Sequence, residues 1–129
     1  MDAFQTPGAF SWCELMTPDP TAASTFYGEL FGWKLETMNM GMPYHVVKVG
    51  ESAIGGIMGM PPNAAPGMPP SWMAYVTVAD VDALVKRVAT LGGKVHMPPT
   101  DIPNVGRFAV IQDPQGAFLN VITYVMPAS

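Results

Sequence analysis

One pattern occurs twice in this chain, and the second copy starts 61 residues after the first. Sliding one copy over the other, Asp19 meets Asp80, Ala22 meets Ala83, Leu30 meets Leu91 and Gly32 meets Gly93. Each copy opens on an aspartate able to cap a helix, runs through an apolar stripe and stops at glycine. Strand-like segments flank each helix. A module of about half of 129 residues is too small to bury a good core alone, so the two copies are expected to pair.

Phe10 to Met16 reads as the first strand, and Thr17-Pro18-Asp19-Pro20 ends it. Pro20 fits the first helical position, where its missing N–H costs nothing. Ala23, Phe26, Tyr27, Leu30 and Phe31 then recur at the spacing of one helical face, up to Gly32. Trp33 to Thr37, Tyr44 to Val49 and Ser52 to Met58 read as strands two to four. Met60 to Ser71 holds five prolines and reads as a stiff linker. The second copy runs from a strand over Trp72 to Val78 into a helix capped by Asp80, with Val81, Leu84, Val85 and Val88 on one face. Gly92-Gly93 stops that helix, and strands follow over Lys94 to Met97, Phe108 to Gln112 and Ala117 to Tyr124. Asp113-Pro114-Gln115-Gly116 is a tight turn before the last of them. The expected class is α+β: two paired βαβββ modules forming a curved mixed sheet around a cavity. One domain spans 1–129, with module one at about 8–59, the linker at 60–71 and module two at 72–125.

Charged residues make up only 12%, so part of the apolar surface is expected to be hidden in a partner subunit, as in a homodimer. The net charge of −4 and the absence of a Lys or Arg cluster argue against nucleic acid. No apolar run approaches the roughly 18 residues of a membrane span, and no secretory leader opens the chain. The single Cys13 cannot form an internal disulfide, which fits a reducing cytoplasm. The 11 Met fit either gap-filling in the core or a pliable surface for apolar ligands.

Three segments give this pattern a resemblance. They are Pro18-Asp19 with Phe26-Tyr27 and Leu30-Phe31-Gly32-Trp33, then Val78-Ala79-Asp80-Val81-Asp82 with Leu91-Gly92-Gly93, then Asp113-Pro114-Gln115-Gly116. Together they resemble the vicinal oxygen chelate superfamily, which includes glyoxalases, extradiol dioxygenases, methylmalonyl-CoA epimerase and bleomycin-binding proteins. The resemblance covers roughly Phe10 to Tyr124 and implies the fold, a two-fold dimer and a cavity, not a reaction. Its enzymes hold a divalent metal through His, Glu or Gln on strands one, four, five and eight. By that resemblance the four positions fall here on Trp12, Gly55 or Gly56, Met73 and Asn120. Indole, glycine, thioether and one amide make a poor set for such an ion. No metal and no cofactor is therefore expected.

Alternation places Trp12, Glu14 and Met16 on one face of the first strand, Met73 and Tyr75 on one face of the fifth, and Phe118, Asn120 and Ile122 on one face of the eighth. The expected ligand-binding residues are Trp12, Met73, Tyr75, Phe118 and Asn120, around a small apolar or aromatic molecule. Glu14 is the candidate catalytic residue. A carboxylate on such a wall can act as a general base next to a carbonyl, or can pair with a backbone group or lysine at the sheet end. His45 and His96 read as edge or surface histidines, and Cys13 as core on the helix side. Three functions follow. The leading one is metal-free binding of a small apolar molecule. The alternatives are a metal-dependent lyase, isomerase or dioxygenase of the glyoxalase type, and a metal-free acid–base enzyme using Glu14.

Overall fold

Both repeat aspartates cap helices in the same way. Asp19 Oδ1 accepts from the Ala22 N–H at 3.0 Å, and Asp80 Oδ1 accepts from the Ala83 N–H at 3.2 Å. Each bond satisfies one of the orphan donors at a helix start. The structure is a computed structural model and describes residues 1–39, 42–60 and 69–125. Most of the expected linker, including Pro61, Pro62 and Pro66, lies outside the described residues.

The elements are β1 (Phe10–Thr17), α1 (Pro20–Phe31), β2 (Lys34–Asn39), β3 (Pro43–Val49) and β4 (Ser52–Gly59), then β5 (Ser71–Thr77), α2 (Val81–Val88), β6 (Lys94–Ile102), β7 (Gly106–Gln112) and β8 (Phe118–Tyr124). The chain is thus α+β, with the βαβββ order twice. Two compact units emerge, one of residues 12–73 and the other of residues 1–11 with the chain from Ala74 onward.

In the first unit the strands lie in the order β2-β3-β4-β1. β1 runs parallel to β4, and β4, β3 and β2 are antiparallel neighbours. The core lies between this sheet and α1. Leu15, Val47 and Ile57 are buried there, with Ala23, Tyr27, Trp33 and Leu35 packed against them. α1 ends at Gly32, whose φ of 74° is the left-handed conformation that glycine adopts without penalty. The expected apolar stripe of α1 is only half used. Ala23 and Tyr27 meet the core, but Phe26, Leu30 and Phe31 are each 58% exposed. Three buried side chains are too few to cover the whole stripe of a twelve-residue helix.

The second unit has the order β5-β8-β7-β6, with β5 parallel to β8. Val78, Val81, Ala109 and Val121 form its core, with Val76, Leu84, Val85 and Ile111 packed around them. The apolar face expected for α2 is therefore the one it buries. Arg107 on β7 ties the sheet to that helix, donating through Nε and Nη2 to the two Asp82 oxygens at 2.7 and 2.9 Å. The N-terminal segment belongs to this unit: the Gly8 N–H donates to the Thr77 carbonyl and the Thr77 N–H to that of Ala9.

Two boundaries differ from expectation. α2 ends at Val88, short of Gly92-Gly93, and the positive φ of 90° falls on Gly92, one residue before the repeat's match to Gly32. β6 runs on to Ile102 through Pro98-Pro99, past the expected end at Met97. It is the last strand of its order, and its register with β7 shifts between Met97 and Thr100. An edge strand with a bulge tolerates prolines that a central strand would not.

Candidate functional site

β1 presents alternate residues to opposite faces. Leu15 joins the core under α1, so Trp12, Glu14 and Met16 face away from the helix. Their register partners continue that face: Glu14 pairs with Gly56 and Met16 with Met58. Gly56 pairs in turn with Val46, and Met58 with Tyr44. The helix-free face of this unit thus carries Trp12, Glu14, Met16, Met58, Tyr44 and Val46.

A hydrogen-bond chain crosses this face. The Tyr44 hydroxyl donates to Glu14 Oε2 at 2.6 Å, and it accepts from Trp12 Nε1 at 3.0 Å. Glu14 is 9% exposed, so its carboxylate is held in a dry setting by a phenol that is itself held by an indole. A short bond to a carboxylate is the stronger kind of hydrogen bond. Tyr44 is a partner of Glu14 that the sequence reading did not name.

Gly56 makes this reach possible. Tyr44 sits on β3, and β4 lies between it and β1. The phenol ring crosses over Gly56, and a methyl group added there would overlap the Tyr44 ring and hydroxyl. Glycine at this position therefore serves a close approach, a use distinct from turn-making. Tyr44 was missed among the sequence candidates because it lies 30 residues from Glu14 along the chain. The signal was the glycine pair in β4, which says that something large passes over that strand.

The second unit holds the remaining polar candidates. Tyr75 on β5 stands in register with Asn120 on β8, and both are buried. The Tyr75 ring lies 6.4 Å from that of Phe108. Asn120 Oδ1 has no hydrogen-bond partner among the described residues. A buried acceptor left in this state costs about 1–3 kcal/mol, which a donor from a bound molecule would return. At the end of the same strand, burial pushes the Tyr124 phenol up, while its 2.7 Å bond to the Ser11 hydroxyl offsets part of that.

The other expected residues are placed as follows. Met73 is half-buried near the start of β5. Phe118 opens β8, is 45% exposed and lies 4.8 Å from the His96 ring. His96 is exposed and meets Gln112 Oε1 at 2.6 Å, while His45 Nδ1 meets the Thr37 hydroxyl at 2.9 Å. His96 sits on the edge strand β6 and is exposed, whereas His45 sits on β3, between β2 and β4, and is half-buried, so it is neither an edge nor a surface residue. Cys13 departs from expectation: it is on the helix side but exposed, not core. Its neighbour across the parallel pair is Gly55, which has no side chain to cover it.

Among the described residues no three of His, Cys, Asp and Glu stand close enough to hold one metal ion. Glu14 is bonded to phenol, and Trp12, Gly55, Gly56, Met73 and Asn120 offer only an indole, a thioether and one amide. That donor set does not fit a divalent cation, which needs several imidazole or carboxylate ligands converging on one point. No helix among the described residues is long and apolar enough to cross a membrane.

The model of the glyoxalase/bleomycin resistance protein/dioxygenase superfamily matches residues 9–121. The chain belongs to this superfamily. Among curated relatives, it is 42% identical over 117 residues to "Putative glyoxylase CFP32" of Mycobacterium bovis, and the match takes in 89% of this chain and 44% of the relative. It is 36% identical over 135 residues to the anthracycline biosynthesis protein DnrV of Streptomyces peucetius, over 86% of this chain and 45% of the relative. The chain spans less than half the length of both. Among solved structures, hypothetical protein BH1468 of Bacillus halodurans superposes with a TM-score of 0.73 at 12% identity, over 96% of this chain and 99% of that one. Methylmalonyl-CoA epimerase of Mycobacterium tuberculosis gives 0.64 at 17% identity, over 95% and 89%. At such identities these structures speak to the fold alone.

Proposed function

We propose that this superfamily member binds a small apolar or aromatic molecule without a divalent metal ion. Trp12, Tyr44 and Glu14 are its principal contacts. The observation that supports this reading is the hydrogen-bond chain itself. At Trp12, where the resemblance implies a metal ligand, this chain has an indole whose N–H donates to the Tyr44 phenol, and that phenol donates to the Glu14 carboxylate. Met16 and Met58 on the same face add pliable, polarizable surface for an apolar ligand. Met73 is a further proposed contact on the same unit, and Tyr75, Phe118 and Asn120 are the proposed ligand-binding residues of the other unit, with Asn120 Oδ1 requiring a donor. The chain works in this reading as a cytoplasmic homodimer.

Titration with a panel of aromatic compounds, followed by tryptophan fluorescence, tests the proposal. Saturable binding is expected to persist in excess chelator and to weaken at least tenfold in Trp12→Ala. Binding that appears only with added Ni, Zn, Fe or Mn would return the chain to the metal-dependent chemistry of its superfamily.

A second reading is favoured by the burial of Glu14 and its 2.6 Å bond to Tyr44. A carboxylate so placed can take a proton from carbon next to a carbonyl, making the chain a metal-free acid–base enzyme. In that case Glu14→Gln keeps ligand affinity and abolishes turnover. Equal loss of affinity and turnover would argue for binding alone.

A further inference from the structure

The face of α1 that the core leaves uncovered has the properties of a self-complementary contact. Phe26, Leu30 and Phe31 are each 58% exposed, and beside them Ile54 is 41% and Trp72 39% exposed. At roughly 200 Å² for each large side chain, these five expose on the order of 500 Å² of apolar surface. That is in the upper part of the range for the largest apolar patch on a soluble monomer, about 300–600 Å², and a patch of that size is often functional. The rings are not loose. Tyr27 stacks on Phe31 at 6.1 Å and on Trp33 at 5.8 Å, and Trp72 meets Tyr27 and Trp33 edge-on at 5.3 and 6.1 Å. The Trp72 Nε1 donates to the Tyr27 hydroxyl at 3.3 Å, which fixes the indole.

Next to this ridge lies a hollow of about 290 Å³, lined by Cys13, Trp33, Val47, Ile54, Gly55 and Trp72. Gly55 is part of its lining, and a methyl group added there would run into the Cys13 carbonyl. The same surface therefore offers both protruding rings and a hole to receive one, and none of these side chains is charged. We propose that this face, α1 with the hollow beside Trp72, is where two copies of this chain join.

Three observations point to a second copy as the occupant. A stable interface needs about 800 Å² per partner, of which roughly 56–65% is apolar, and the exposed patch matches that apolar share. Knob and hole on one surface is the requirement of a two-fold contact, in which the patch meets itself. The relatives CFP32 and DnrV devote 44% and 45% of their length to the part matched here. A second copy supplies a body of comparable size to what they carry on one polypeptide.

The inference rests on the homodimer proposed above, and sedimentation velocity separates the two. Wild type is expected to be dimeric at about 10 μM, with Leu30→Glu and Phe31→Glu raising the dissociation constant more than tenfold while circular dichroism stays native. Leu91→Glu is the control, since Leu91 is the repeat counterpart of Leu30 and is 65% exposed on the other unit. It should leave the dimer intact. A dimer unmoved by both α1 variants overturns the choice of face and leaves the dimer standing. A wild-type monomer at about 100 μM overturns both. If the variants fail to fold, Cys13 in the wild type decides: its alkylation should slow at least fivefold between dilute and concentrated protein. A rate independent of concentration, or a monomer whose native mass includes a small apolar molecule, refutes the contact.

Discussion

The Tyr44 hydroxyl is the hinge of the candidate site, and its energy can be measured. Tyr44→Phe removes a donor 2.6 Å from a buried carboxylate and an acceptor 3.0 Å from the Trp12 N–H, with almost no change of volume. A hydrogen bond to a charged group contributes about 1.5–3 kcal/mol and a neutral one about 0.5–1.5, so the substitution should destabilise by about 2–4 kcal/mol. Chemical denaturation at neutral pH measures that loss from the midpoint at constant slope. The cause is isolated by repeating the substitution in Glu14→Leu, where the carboxylate is gone. There Tyr44→Phe should cost no more than about 1.5 kcal/mol, the share of the Trp12 bond. The coupling between Tyr44 and Glu14 should therefore be about 1.5–3 kcal/mol. Equal losses in the two backgrounds, within about 0.5 kcal/mol, would refute the reasoning, because uncoupled residues add.

Gly56→Ala should act on the same bond from the other side. The new methyl group evicts the Tyr44 ring, so the variant should bind aromatic probes at least tenfold more weakly while keeping native circular dichroism. Ile57 is fully buried at the centre of the first core, and Ile57→Ala should cost about 2–5 kcal/mol by urea denaturation, against under about 1.5 for Ile57→Val. Arg107 holds the Asp82 carboxyl below the usual range, so the pair stabilises the fold above the ordinary aspartate value near 3.9 and loses that effect as pH falls through the lowered one. Asp82→Asn should lower the urea midpoint at neutral pH and leave it unchanged near pH 2, and a deficit that persists in acid would count against the pairing.

The order of elements was legible because it rests on local chemistry. Asp19, Pro20, Gly32 and Asp80 act within a few residues of themselves, and the turn at Asp113 closes through its own side chain, which accepts from Gln115 and Ala117. Alternation on β1 also placed Glu14 opposite Leu15 correctly. What escaped were facts set across strands. No spacing rule joins Tyr44 to Glu14, since the link depends on register through β4 and on the empty space at Gly56. The exposure of Phe26, Leu30 and Phe31 escaped for a related reason: periodicity says which residues share a helix face, not how much core lies beneath it. Cys13 was misplaced the same way, with its face right and its cover absent.

Native mass spectrometry of the protein taken directly from cells, then exchanged into Ni, Zn or Mn, tests the central proposal most directly. The account predicts a chain that retains an organic adduct and gains no stoichiometric divalent ion. One such ion bound per chain, and lost in Glu14→Ala, would contradict it.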